Sequence, residues 1–164
     1  MQNPKVSVVI AEGRATPLYP ESLAKQDYCN YEILPVKGYG AAKARNIGIQ
    51  QAKGEIIAFI DDDVVLPASW MKSGVQAIEE SGADLLGGPN TLFPDASIGE
   101  RASNFFISTG IFNGFRKKFS KAKNSCFTDY RNLATCNMMI RRDAISKVGY
   151  FNEKYSYVED MEFL

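Results

Sequence analysis

The amino-acid sequence predicts an α/β fold with a mostly parallel central sheet, on the strength of three features. Short β-branched runs alternate with helical segments along the chain. Two of the runs, VSVVI at 6–10 and EIIAFI at 55–60, are almost wholly apolar, the pattern of strands covered on both faces. The 164 residues suffice for one domain with a real core, and no internal repeat or low-complexity linker divides them, so a single domain over 1–164 is expected.

After the first strand the chain is irregular through 11–19, and residues 20–26 predict a short helix with Pro20 near its start. YEILPV at 31–36 reads as a second strand, with Pro35 weakening its end. Residues 40–53 predict a helix stopped by Gly54 as a C-terminal cap, and Ala41, Ala44, Gly48 and Ala52 give it a small-residue side that lies close to a sheet. A third strand at 55–60 runs into Asp61-Asp62-Asp63. A helix opened by Pro67 and closed by Gly82 follows, then a strand at 84–87. Further on, 134–140 reads as a strand and 143–148 as a helix capped by Asp143. Residues 158–164 begin another helix; it ends uncapped after about seven residues, so the chain is expected to stop short at its C-terminus.

Composition narrows the chemistry. Nineteen basic residues balance nineteen acidic ones, which argues against a nucleic-acid binder. No apolar run is long enough to span a bilayer, and the three cysteines, Cys29, Cys126 and Cys136, form no CxxC pair, so reduced thiols and a cytoplasmic location are expected. Histidine is absent, which removes Ser-His-Asp and Cys-His machinery and His-bound zinc. A metal site would therefore be built from oxygen, and oxygen ligands favour Mg²⁺ or Mn²⁺.

The aspartate triplet is the strongest candidate site. In open α/β sheets ligands bind beyond the carboxyl ends of the strands, and Asp61–Asp63 follow the most buried-looking strand at that end. In an extended chain Asp61 and Asp63 share one side and Asp62 faces the other. Adjacent carboxylates repel unless water or a cation lies between them. The plain alternative is a solvated acidic loop. A divalent ion bridging to a diphosphate suits the buried strand and the lack of histidine better.

Taken together, VSVVI, ESLAKQDYCNYEILPV, GAAKARNIGIQQAKGEIIAFIDDDV and CNMMIRRDAISKVGYFNEKYSYVEDMEFL resemble family-2 glycosyltransferases of the GT-A fold, over most of 5–87 and 134–164. The resemblance implies a nucleotide-binding, Rossmann-like three-layer sandwich. It implies a metal-dependent, inverting, hexosyltransferase-type reaction that moves sugar from a nucleotide-sugar donor to a glycan or lipid-linked acceptor, in the building of cell-envelope polysaccharide. Asp61-Asp62-Asp63 matches the family's DXD-type motif, with Asp63 as metal ligand and Asp61 on the donor's ribose or sugar side as well as near the metal. Asp62 joins the donor site, Arg45 matches a position facing the nucleotide base, and Glu159-Asp160 matches the acidic pair whose aspartate is the general base. Without the resemblance, Glu159 and Asp160 read as an ordinary acidic first helical turn.

The chain departs from the family after the second strand, where YEILPV passes straight to KGYGAAKARN without the acidic motif that holds the base. Glu12, in the unusual loop AEGRAT, is a substitute carboxylate. Other nucleotide chemistries fit less well: AEGRATP is a poor nucleotidyltransferase loop, and neither GxGxxG nor a Walker loop follows the first strand. The rival of another class is a degenerate or truncated domain serving as a nucleotide-binding or partner module without catalysis. The basic, aromatic stretch 112–123 (FNGFRKKFSKAK) reads first as a solvated loop and alternatively as a peripheral contact with anionic lipid at the cytoplasmic face of a membrane. Trp70 and Met71 read as core, with stacking on a sugar as the alternative for Trp70.

Overall fold

A computed structural model describes residues 5–93, 95–99, 101, 133–155 and 163. The stretch 112–123, Cys126, Glu159, Asp160 and all of the expected helix over 158–164 except Phe163 lie outside the described residues. Among the described residues five strands form one sheet: β1 (Val6–Glu12), β2 (Tyr31–Lys37), β3 (Ile56–Asp61), β4 (Leu85–Gly87) and β5 (Asn137–Arg141), in the order β2-β1-β3-β5-β4. β1 pairs in parallel with β2 and β3, whereas β5 runs antiparallel between β3 and β4. The mostly parallel sheet is as expected.

Helices cover both faces because the buried strands are apolar on both. Val6, Val8 and Ile10 of β1 and Ile56, Ala58 and Ile60 of β3 pack with α1 (Tyr19–Ala24) and α3 (Trp70–Ser81). The alternate residues Val9, Ile57 and Phe59 face α2 (Ala41–Gln51) and α4 (Arg142–Val148). A period of two in the strands thus yields three layers.

Several boundaries differ from expectation, each for a local reason. The helix expected from Pro67 begins at Trp70; before it, the Trp70 N–H donates to the Pro67 carbonyl at 3.0 Å, and Gln26 Oε1 accepts from the Met71 N–H at 3.0 Å. The strand expected over 134–140 begins at Asn137, after a turn closed by the Asn137 N–H on the Ala134 carbonyl. Asp143 stands in the first turn of α4 but is not its cap, which is Arg141 without a side-chain bond. Gly82 is the left-handed cap of α3, as expected (φ 66°). Gly54 is no such cap. Its Cα passes so close to β1 that a Cβ would lie 2.6 Å from the Lys5 carbonyl oxygen. Pro35 sits within β2 without breaking it, because β2 is an edge strand and needs no N–H on its open side.

Candidate functional site

The carboxyl ends of β1 and β3 lie side by side, Ala11 opposite Asp61, and the candidate residues gather there. β3 ends at Asp61 and the chain turns at once, so the three aspartates part company through a turn and not along an extended strand. Asp61 and Asp63 border one cleft of about 900 Å³. Asp62 is buried away from it and accepts from the backbone N–H groups of Gly13 and Arg14, both at 2.7 Å. The expected division of the triplet, two to one side and one to the other, is therefore present.

Arg45 reaches this point from α2. Its guanidinium is buried, donates from Nη2 to Asp61 Oδ1 at 3.0 Å and lies 5.6 Å from the centroid of the Phe151 ring. Burial pushes the Asp61 carboxyl above the usual carboxylate range. Arg45 pulls it back by charge and hydrogen bond, and the charges of Asp63 and Asp62 push it up again. Asp63 is more open, its side chain 56% exposed, and meets Arg14 only at 3.8 Å.

Glu12 ends β1 at the neighbouring position. Its buried carboxylate accepts from the Tyr19 hydroxyl at 2.9 Å and pairs with Lys37 Nζ at 2.6 Å, across the register that sets Glu12 beside Lys37. Burial, with Glu12 and Asp62 adding to it, pushes the Tyr19 hydroxyl up to about 12. Glu12 is thus tied to α1 and β2, on the side of β1 away from β3.

Residue-by-residue reading missed the contribution of β5. Because β5 is antiparallel, its first residue stands opposite Ile60, which brings Cys136 and Asn137 to the aspartate end of the sheet. Both border the cleft, as does Trp70, whose Nε1–H donates to Asn137 Oδ1 at 2.8 Å. Burial and the Asp61 charge push the Cys136 thiol up to about 11. Arg14 and Lys37 were also missed; both stand on irregular or edge segments with no periodic signal.

The same site shows what a divalent ion would meet. Asp61 and Asp63 offer oxygen alone, and Asp63 is exposed to the cleft. Two carboxylates suit Mg²⁺ or Mn²⁺ held jointly with phosphate oxygens and water. The residues fit such an ion.

Residues 21–149 match the glycosyl transferase family 2 profile. The chain belongs to this family. A family relative, Glycosyltransferase AglE of Haloferax volcanii, is 36% identical over 126 residues, covering 76% of this chain and 38% of that protein. Succinoglycan biosynthesis protein ExoM of Rhizobium meliloti is 29% identical over 108 residues, covering 65% of this chain and 31% of the relative. The chain therefore spans well under half the length of these curated relatives. Among solved structures, S. aureus TarS 1–349 in complex with UDP superposes with a TM-score of 0.61 at 19% identity, over 97% of this chain and 53% of that one. The mannosyltransferase PcManGT from Pyrobaculum calidifontis, in complex with GDP-Man and Mn²⁺, gives 0.64 at 14% identity, over 99% of this chain and 51% of that one. These likenesses establish the GT-A fold for this family-2 chain.

Proposed function

We propose that this chain carries the donor site of an inverting, metal-dependent glycosyltransferase. It moves a hexose from a nucleotide diphosphate to a glycan or lipid-linked acceptor, in the building of an envelope polysaccharide on the cytoplasmic side. The observation that carries this reading is the pairing of Asp61 and Asp63 on one cleft at the end of β3, in a family-2 chain. Relatives caught with UDP, UDP-GlcNAc and GDP-Man with Mn²⁺ support a nucleotide-sugar donor.

Each residue then has a physical task. Asp63, and Asp61 beside it, would hold the Mg²⁺ or Mn²⁺ ion, which when bound neutralises charge on the leaving diphosphate. Arg45 orients Asp61 through its hydrogen bond and favours the charged carboxylate against the burial that opposes it. Asp62 fixes the loop after β1, and Glu12 with Lys37 places polar groups at the end of β1 and β2, where the base would lie. Asp160 accepts the acceptor's hydroxyl proton, with Glu159 beside it, as the new bond forms to the anomeric carbon and the bond to the diphosphate breaks on the opposite face. Phe163 stacks on Phe151 beneath Arg45 with centroids 4.0 Å apart, which packs the end of the chain against the helix that carries Arg45.

The test is calorimetric titration of UDP, GDP and their sugars with and without Mn²⁺, together with a transfer or donor-hydrolysis assay. Asp63→Ala is expected to abolish metal-dependent donor binding; unchanged affinity rejects the metal assignment. Tight metal-dependent binding without turnover favours the non-catalytic module.

A further inference from the structure

One aromatic side chain bordering the cleft is locked in place. An indole Nε1–H can only donate, so the oxygen of the Asn137 carboxamide must face Trp70, and it does so at 2.8 Å. The other end of that carboxamide donates from Nδ2 to the Pro89 carbonyl at 3.2 Å. Gly88 closes in behind it: a Cβ there would lie 2.6 Å from Nδ2, and the Gly88 N–H donates to the Asn137 carbonyl at 3.0 Å. Asn137 is thus held at both ends of its carboxamide, and Trp70 would lose its hydrogen-bond partner on turning. Trp70 itself is half-buried; it packs against the core and also borders the cleft that Asp61 and Asp63 share.

We propose that the cleft-facing part of the Trp70 indole is the platform for a pyranose ring. The sugar's C–H face lies on the aromatic face, and its hydroxyls reach the surrounding polar groups, among them Ser69, Asn90 and Thr91. Asn137 is the positioning residue that fixes the plane of that platform. This role rests on the function proposed above and goes beyond it, naming the residue that receives the sugar. The pyranose belongs to the donor or to the acceptor, and the arms of the experiment separate the two.

Trp70 is the only tryptophan in the chain, so tryptophan-selective emission reports on this one position. The full chain with Mn²⁺ is titrated with UDP or GDP alone, with UDP-GlcNAc or GDP-mannose, and with octyl glycosides in the presence of the nucleoside diphosphate. Calorimetry on the same samples measures binding. A shift with the nucleotide sugar but not with the bare nucleotide places the donor ring on Trp70; a shift only on adding the glycoside places the acceptor ring there. Nucleotide-sugar binding by calorimetry with unchanged emission in every arm overturns the platform and leaves the proposed function standing. A shift no larger than that of the bare nucleotide in both the nucleotide-sugar arm and the glycoside arm also overturns it. No binding of any of these ligands overturns both. Trp70→Leu is expected to weaken the sugar-bearing ligand about tenfold relative to the bare nucleotide, with Trp70→Phe restoring most of it. Asn137→Leu is expected to show the same selective loss; an equal loss for both ligands would reject its positioning role.

Discussion

Asp62 lies in the middle of an acidic triplet, yet its carboxylate is spent on backbone. Its carboxylate accepts from the N–H groups of Gly13 and Arg14, and the Asp62 backbone carbonyl accepts from the Leu18 N–H at 2.8 Å, so one residue holds the loop between β1 and α1 at both ends. Hydrogen bonds to a charged group are worth about 1.5–3 kcal/mol each, and water reaches part of this loop, so Asp62→Ala is expected to cost about 2 kcal/mol in total. Urea denaturation measures that loss, and Asp62→Asn, which keeps an acceptor oxygen, should lose less. An alanine variant as stable as the parent would show that the loop is held by other means. Asp61 and Asp63 are left facing the cleft because Asp62 turns away.

Between elements, α2 lies close against β1 at Gly48. A Cβ on Gly48 would come 2.2 Å from Val9 Cγ1, and a β-branched side chain has little freedom to retreat. Alanine in place of glycine gains about 1 kcal/mol in helix propensity, but overpacking a strand–helix seam costs about 1–3 kcal/mol. Gly48→Ala is therefore expected to lower the thermal midpoint; a rise would show that α2 can lift off β1 cheaply. A polar seam joins the opposite end of the sheet. Glu32 of β2 accepts from Ser7 Oγ–H and the Lys53 N–H, both at 2.7 Å, and pairs with Lys5 at 3.2 Å. Burial works to raise the Glu32 carboxyl, but these donors outweigh it and hold it below its ordinary value of 4.5. A carboxylate depressed in the folded state stabilises it fully above the unfolded value and loses that effect as pH falls through the folded one. Glu32→Gln is thus expected to cost about 1 kcal/mol at neutral pH. Its difference from the parent should shrink as pH falls below 4.5, and a difference independent of pH would exclude the charge as its source.

At the scale of the whole molecule, donor and acceptor chemistry are expected to separate. Asp61 and Asp63 stand at the end of β3, while the proposed base, Asp160, comes from the far end of the chain. Asp160→Asn is expected to leave nucleotide-sugar affinity within about twofold and to remove transfer, lowering the rate by at least the roughly 10²-fold typical of general-base loss. Full activity in that variant would exclude Asp160 as the base. Much of this layout was legible in the sequence. VSVVI and EIIAFI announced their strands because burial on both faces demands unbroken apolar runs, and the triplet announced itself by following one of them. Trp70 opening α3 in place of Pro67, and Asn137 opening β5, were not legible, since their bounds depend on partners such as Gln26 and Ala134 that are distant or shaped by turns.

The sequence alone determined the α/β class, the strand that delivers the aspartates, the oxygen character of any metal site and the family resemblance, because each follows from local pattern or composition. Only the tertiary structure decided that β5 enters antiparallel, bringing Asn137 and Cys136 to the aspartates, that Asp62 is given to the backbone, and that Arg45 meets Asp61. Strand direction and long-range side-chain pairing are fixed by packing between segments far apart in the chain, and no short-range periodicity encodes them.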